Sequence, residues 1–194
     1  MIAVAQRPWC GCLDGMSDNG LFASCTLGGM ARRGPGFAII LMLRYVLETC
    51  GTVGEAVTAL CRIPVTQLHN VTLLDGTGEH AALFLGPRRE PAVTHQRACT
   101  NRQERMSPAF GSALRQSVLM DALGDPSSML TGLTALFFEP PLYSRKAAFT
   151  TAYTAVYRPA KKRVDHPWPG QRWSQTFQHF VPGAYTHDYG NLAR

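Results

Sequence analysis

Chemistry in this chain of 194 residues would have to come from six cysteines, six histidines and a few polar side chains at expected strand ends. Cys10 and Cys12 form a C-x-C pair, while Cys25, Cys50, Cys61 and Cys99 stand singly among apolar neighbours. Structural zinc wants two paired knuckles, and here a second pair is lacking and the histidines are isolated. The pattern predicts buried free thiols with no metal and no cofactor. Asn101 follows Thr100 at the end of an expected strand. Its neutral amide carries two donors, so it could face a developing oxyanion or cap a turn before Arg102.

Charge narrows the partners. Lys and Arg number 19 against 13 Asp and Glu, a net +6, and 16 of the cations are Arg. They come as scattered pairs, Arg32-Arg33, Arg88-Arg89, Arg102 with Arg105, and Lys161-Lys162-Arg163, rather than on one face with interleaved aromatics. Nucleic acid is therefore not the expected partner. The longest clean apolar run, 37–43, has seven residues, where a membrane span needs about 20. Residues 1–7 lack the basic and apolar regions of a secretory signal, so the expectation is a cytoplasmic protein with reduced thiols, and Asn70-Val71-Thr72 is read as a strand start rather than a glycosylation site. Hydrophobic residues at 45% suffice for a core, while charged residues at 16% fall below the usual ~25%. That deficit predicts surface covered by a further segment or by a second copy.

The elements that must position these residues read as follows. Residues 1–30 are turn-rich, with Asp14 and Gly15 holding a turn and Asn19-Gly20 a second one, before a strand over 21–27. An apolar helix over 37–50 ends at Gly51, and Thr52-Val53-Gly54-Glu55 opens another that Pro64 stops. Strands over 70–75, 80–86 and 92–100 make an antiparallel meander, with Asp75-Gly76-Thr77-Gly78 as a hairpin turn. A helix over 112–123 follows, then a short one opened by Asp125-Pro126, and strands over 150–157 and 164–168. Trp173, Phe177 and Phe180 are helix-spaced. Helices segregated from antiparallel strands predict an α+β fold, a single domain over 1–194 with two sheets between two helical layers.

Several segments, taken in order, resemble one family. Asp14-Gly15-Met16-Ser17-Asp18-Asn19-Gly20-Leu21 is similar to a D-G-M-N-x-x-G-L motif, followed by Thr26-Leu27-Gly28-Gly29. Residues 36–50, 52–64, 70–75, Thr100-Asn101, 153–158 and Trp168-Pro169-Gly170 continue the match. The family is that of the autoproteolytic isopenicillin-N acyltransferases and carcinine hydrolases, allied to the choloylglycine hydrolases. The resemblance implies an N-terminal-nucleophile αββα sandwich acting on small linear amides or acyl thioesters. It implies Asn101 as oxyanion donor and a further polar site residue in the region of Thr26 and Leu27, with Thr26 carried forward. It also implies a C-terminal Arg (Arg158, Arg163 or Arg172) as substrate ligand, with Arg172 carried forward.

One departure stands out. The family's nucleophilic Cys, with an Arg and an Asp that position it, lies well upstream of the D-G-M-N-like segment, whereas thirteen residues precede Asp14 here. Cys10 and Cys12 are too close to that segment to serve, given about 3.3–3.6 Å of reach per residue. The expectation is a fold incomplete on its N-terminal side, with the Cys nucleophile outside the chain. The competing expectation is a non-catalytic remnant or binding module that kept the scaffold.

Overall fold

The computed structural model describes residues 1–6, 11–29, 33–103, 111–146 and 150–189. Cys10, Arg32 and Arg105 lie outside them. Six strands form the first sheet in chain order: β1 (Ile2–Gln6), β2 (Gly11–Met16), β3 (Phe22–Leu27), β4 (His69–Leu74), β5 (His80–Leu85) and β6 (Ala92–Thr94), each antiparallel to the next. Three more, β7 (Val156–Arg158), β8 (Arg163–Trp168) and β9 (Gln171–Thr176), form a second antiparallel sheet.

Helices α1 (Ile39–Thr49) and α2 (Val53–Arg62) cover the outer face of the first sheet. In α1 the buried Ile39, Ile40, Met42, Leu43, Val46 and Leu47 recur at helical spacing, a continuous apolar stripe. Against it lie Ala23, Val71, Leu73, Ala81, Leu83 and Leu85, alternate residues of three strands. Fully burying such side chains stabilises by about 1.5–3 kcal/mol each. Gly11 and Gly15 let α1 come down onto β2: a Cβ on Gly11 would lie 2.6 Å from the Ile40 side chain, and one on Gly15 2.9 Å from that of Leu47.

The capping box at α2 forms as its residues dictate. The Thr52 hydroxyl accepts from the Glu55 amide, and Glu55 accepts from Thr52 and Gly51. Helix α1 instead ends at Cys50 in extended backbone, so Gly51 is not a left-handed cap. The β4–β5 hairpin turns at Asp75–Gly78, where Asp75 accepts from the amide and hydroxyl of Thr77 and Gly78 takes φ +93°.

Five further expectations are corrected. Residues 11–16 are strand, not turn; the turn is confined to Ser17–Gly20, and Gly15 is there for helix packing. The third meander strand stops at Thr94, because Gln96 turns the chain: its backbone amide donates to the Thr94 hydroxyl oxygen and its Nε2 donates to the Ala98 carbonyl. Asp125 closes a local turn on Ser127, and the short helix α4 begins later, at Leu130–Leu136, after α3 (Ser112–Gly124). Of 150–157 only the end enters the sheet as β7. Trp173 lies on strand β9, not on a helix.

Candidate functional site

Strand alternation decides which side chains meet between the sheets. On the first sheet, pairings Asp14↔Ser24, Ser24↔Thr72, Thr72↔Ala82 and Ala82↔Thr94 run across five strands, so Asp14, Ser24, Thr72 and Thr94 share one face. The next row on that face is Thr26↔Asn70↔Phe84, about 7 Å further along. On the second sheet, Tyr157, Val164, His166, Trp168, Trp173 and Gln175 share the face turned toward them.

The two faces are joined at Asp14. Tyr153 donates its hydroxyl to Asp14 Oδ2 and Tyr157 donates to Oδ1. The Tyr157 ring also packs on Phe22, centroids 4.8 Å apart. Burial, reinforced by the adjacent Asp14 charge, pushes both phenols well above their ordinary range, so they stay protonated donors. His166 stands behind, 6.2 Å from the Tyr153 ring, with its buried Nδ1 unpartnered among the described residues. Burial holds the His166 imidazole below its ordinary range, with Asp14 and Asp165 pulling the other way.

The second row carries the Asn101 segment. The Thr26 hydroxyl donates to the Thr100 carbonyl at 3.3 Å, and Asn70 Nδ2 donates to the carbonyls of Thr100 (2.7 Å) and Arg102 (2.9 Å). Gln103, 1% exposed, anchors the far end by donating to the His69 and Leu85 carbonyls. Asn101 Oδ1 accepts from Arg115 Nη2 at 3.1 Å. A guanidinium only donates, so that contact fixes the amide's orientation and directs Nδ2 away from Arg115. Thr26 and Asn101 are thus brought together, one residue apart through Thr100.

Arg172 is elsewhere. It lies on the opposite face of the second sheet, exposed, at a cavity of about 470 Å³ between that face and α4. Arg158 lines the same cavity, and both Arg158 and Arg163 are paired to Asp165, at 3.3 and 2.7 Å. Arg163 and Ser174 bonds hold the Asp165 carboxyl below its ordinary range against the upward push of burial.

None of the thiols with a resolved shift is poised to attack. Burial pushes Cys12, Cys25, Cys61 and Cys99 upward, Cys25 to about 12 with help from Asp14. A nucleophilic thiol needs the opposite shift or an adjacent base. Among the described residues, no group of three His, Cys, Asp or Glu could hold a metal ion, and no helix is long and apolar enough to cross a membrane.

A family model described as Acyl-coenzyme A:6-aminopenicillanic acid acyl-transferase matches residues 1–173. The chain belongs to that family. No curated protein matches it in sequence. Solved structures of similar fold include a Caenorhabditis elegans N-acylethanolamine-hydrolyzing acid amidase ortholog, at 16% identity and TM-score 0.54, covering 77% of this chain and 70% of that one. A mutant conjugated bile acid hydrolase from Clostridium perfringens matches at 13% identity and TM-score 0.60, covering 96% and 80%. The fold is the N-terminal-nucleophile αββα sandwich of acyltransferases and amidases.

Sequence reasoning passed over Tyr153, Tyr157, His166 and Arg115 as site residues. Tyr153 and Asp14 are 139 residues apart, and no local pattern marks a pair that only sheet stacking brings together.

Proposed function

We propose that this chain forms the scaffold and oxyanion side of an acyltransferase or hydrolase acting on small linear amides or acyl thioesters. The nucleophile is an N-terminal Cys thiol carried outside these 194 residues. The observation that carries the reading is the Asn101 amide, oriented by Arg115 and held at the end of a segment pinned across the polar row of Thr26 and Asn70.

In this scheme the Cys thiol attacks the carbonyl carbon while its own α-amine, with an ordinary pKa near 8, takes the proton. Asn101 Nδ2 donates to the resulting oxyanion, a contact worth about 3–4 kcal/mol in the transition state. Collapse expels the amine or thiol, which leaves with the proton, and forms an acyl-thioester. Water resolves it in hydrolysis, and an amine acceptor does so in transfer. The Asp14–Tyr153–Tyr157 cluster holds the two sheets in the spacing this requires. The five described cysteines are all free thiols, which fits a reducing, cytoplasmic setting. The partner is the small amide or acyl substrate.

The test joins to the chain, in frame, an upstream segment ending in a Cys-led strand and follows amine release from a small N-acyl amide. Amine release with an acyl adduct on the Cys by mass spectrometry is the expected result. A folded product with neither would leave the non-catalytic binding module as the better reading.

A further inference from the structure

The register row beyond Thr26↔Asn70↔Phe84 is Leu27↔His69↔Leu85, where β3 and β5 end and β4 begins. Residues 100–103 are bonded to both rows. Asn101 is the central residue of a three-residue turn, closed by the Arg102 amide donating to the Thr100 carbonyl at 2.6 Å. The Ser112 hydroxyl donates to the Asn101 carbonyl at 3.3 Å. Two residues on, the Gln103 carboxamide reaches the row of strand ends. Its Nε2 donates to the carbonyls of His69 (3.1 Å) and Leu85 (2.9 Å), and its Oε1 accepts from Arg89 Nη1 at 2.8 Å. Both donors and the acceptor of this buried group are therefore in use.

Glycines make the room. Gly28, directly after β3, does not adopt the left-handed backbone that favours glycine, so its missing side chain is a matter of space. A Cβ there would lie 2.5 Å from Gln103 Nε2 and 2.9 Å from its Cδ. A Cβ on Gly86 would lie 2.8 Å from Arg89 Cδ, in the stem of the guanidinium that caps Gln103. The socket so formed reads one kind of group. Arg89 only donates and the two carbonyls only accept, so the occupant must offer one acceptor and two donors from a single planar group. A carboxamide does so. A carboxylate would set an oxygen against two carbonyls, and a guanidinium would face Arg89 donor to donor. Slipping the segment by one residue would bring Arg102 to the socket, which rejects it.

We propose that Gln103 is a positioning residue for Asn101, a register lock whose socket is built by Gly28 and Arg89. The inference rests on the reading of Asn101 as oxyanion donor. Two residues of chain reach at most about 3.3–3.6 Å each, so a Gln103 moored by three bonds leaves Asn101 little travel. Arg115 sets how the Asn101 amide is rotated, and Gln103 sets where its backbone lies. A productive contact needs placement within about 0.5 Å, and the lock acts on that placement without touching substrate.

The test uses the full chain, alone and with the Cys-bearing segment joined. In the chain alone, amide hydrogen exchange by NMR follows the Arg102 amide that closes the turn. Gln103→Leu, Gln103→Glu and Gly28→Ala should each speed its exchange by roughly tenfold, while the Val46 amide in α1 keeps its wild-type rate. In the joined protein the same variants should lower kcat for a small N-acyl amide by about 10–100-fold, with KM changed less than about twofold. They should lower it no further once Asn101 is alanine. Gly28→Ala crowds the socket while leaving residues 100–103 as they are, so it decides the matter where a Gln103 variant fails to fold. Unchanged Arg102 exchange in Gly28→Ala would overturn the proposal, and so would kcat losses that add to that of Asn101→Ala. An active wild type whose kcat is unmoved by these variants would overturn the positioning role alone. A joined wild type that releases no amine would instead overturn the oxyanion reading, and the proposal with it.

Discussion

The Tyr157 hydroxyl donates to the carboxylate of Asp14, joining residues 143 positions apart and tying the second sheet to the first. Tyr153 occupies the other carboxylate oxygen. Hydrogen bonds to a charged acceptor contribute about 1.5–3 kcal/mol each, so Tyr157→Phe should destabilise by that amount. Tyr153→Phe combined with it should cost more than either alone, since Asp14 then keeps its charge without donors. Urea unfolding should show a lower midpoint at constant slope; a midpoint equal to wild type in the double variant would remove the clamp.

Asp14 also shows what a sequence can and cannot convey. Asp-Gly reads as a turn by local chemistry, yet Gly15 is a strand residue selected by the approach of Leu47, and Asp14 by two tyrosines far along the chain. Both causes are tertiary. The capping box at Thr52 was legible because all its partners lie within four residues. Trp173, Phe177 and Phe180 illustrate the reverse: helical spacing was present, but strand pairing of Trp173 with His166 overrode it. In the candidate site, Asn101 and Thr26 came from the family resemblance. Arg115, which orients Asn101, carries no local signal and needed the structure.

Asp75 joins the β4–β5 turn to the start of α2, accepting from the Val53 amide at 3.2 Å and from Thr77. Burial works against the charge, but the Thr77 and Val53 bonds win and hold the carboxyl below its ordinary 3.8. A depressed folded value contributes stability that is complete above the unfolded value and is lost as pH falls through the folded one. Asp75→Ala should therefore cost about 1–3 kcal/mol at neutral pH, from the lost bonds and the helix-dipole term. The difference from wild type should shrink below about pH 4, measurable by urea unfolding across a pH series.

Asp165 is 1% exposed and neutralises Arg158 and Arg163 together. Asp165→Asn removes the charge while nearly keeping the shape, leaving two guanidinium groups against one another. Because the two arginine side chains keep 30% and 37% of their surface in solvent, the loss should fall below that of a fully buried pair, at about 1–3 kcal/mol. The loss should be largest above the ordinary carboxyl value and should diminish in acid, because the wild-type carboxyl is itself held low by Arg163 and Ser174. Replacing Arg172, which lines the same cavity but makes no pair with Asp165, should cost under about 0.5 kcal/mol. Comparing thermal midpoints of the two variants checks the assignment.

Thiol labelling separates the cysteines by burial. Cys61 is exposed, whereas Cys12 is buried and Cys25 is pushed to about 12. A disulfide-exchange reagent at pH 8 should label Cys61 first among the described cysteines. Its rate should rise about tenfold per pH unit while the thiol form predominates. Cys12 and Cys25 should label only on unfolding, which peptide mapping by mass spectrometry would reveal. Rapid labelling of Cys25 in the folded protein would contradict its place on the core side of β3.

Asn101 and Arg115 are coupled, and the coupling can be read kinetically once the Cys-bearing segment is joined. Asn101→Ala removes the amide donor and should lower kcat by about 10²–10³-fold with little change in KM, because the bond strengthens only as the oxyanion forms. Arg115 acts through Asn101: its Nη2 bonds Oδ1, so Arg115→Ala frees the amide to rotate and should lower kcat less severely. In the double variant the two losses should not add, since an absent amide cannot be misoriented. Arg115 also donates to Ser112 Oγ at 3.3 Å and so has a structural role in α3. A purely structural effect would lower the thermal midpoint equally in both backgrounds and leave the kcat losses additive, whereas a positioning role makes the Arg115 loss vanish when Asn101 is alanine.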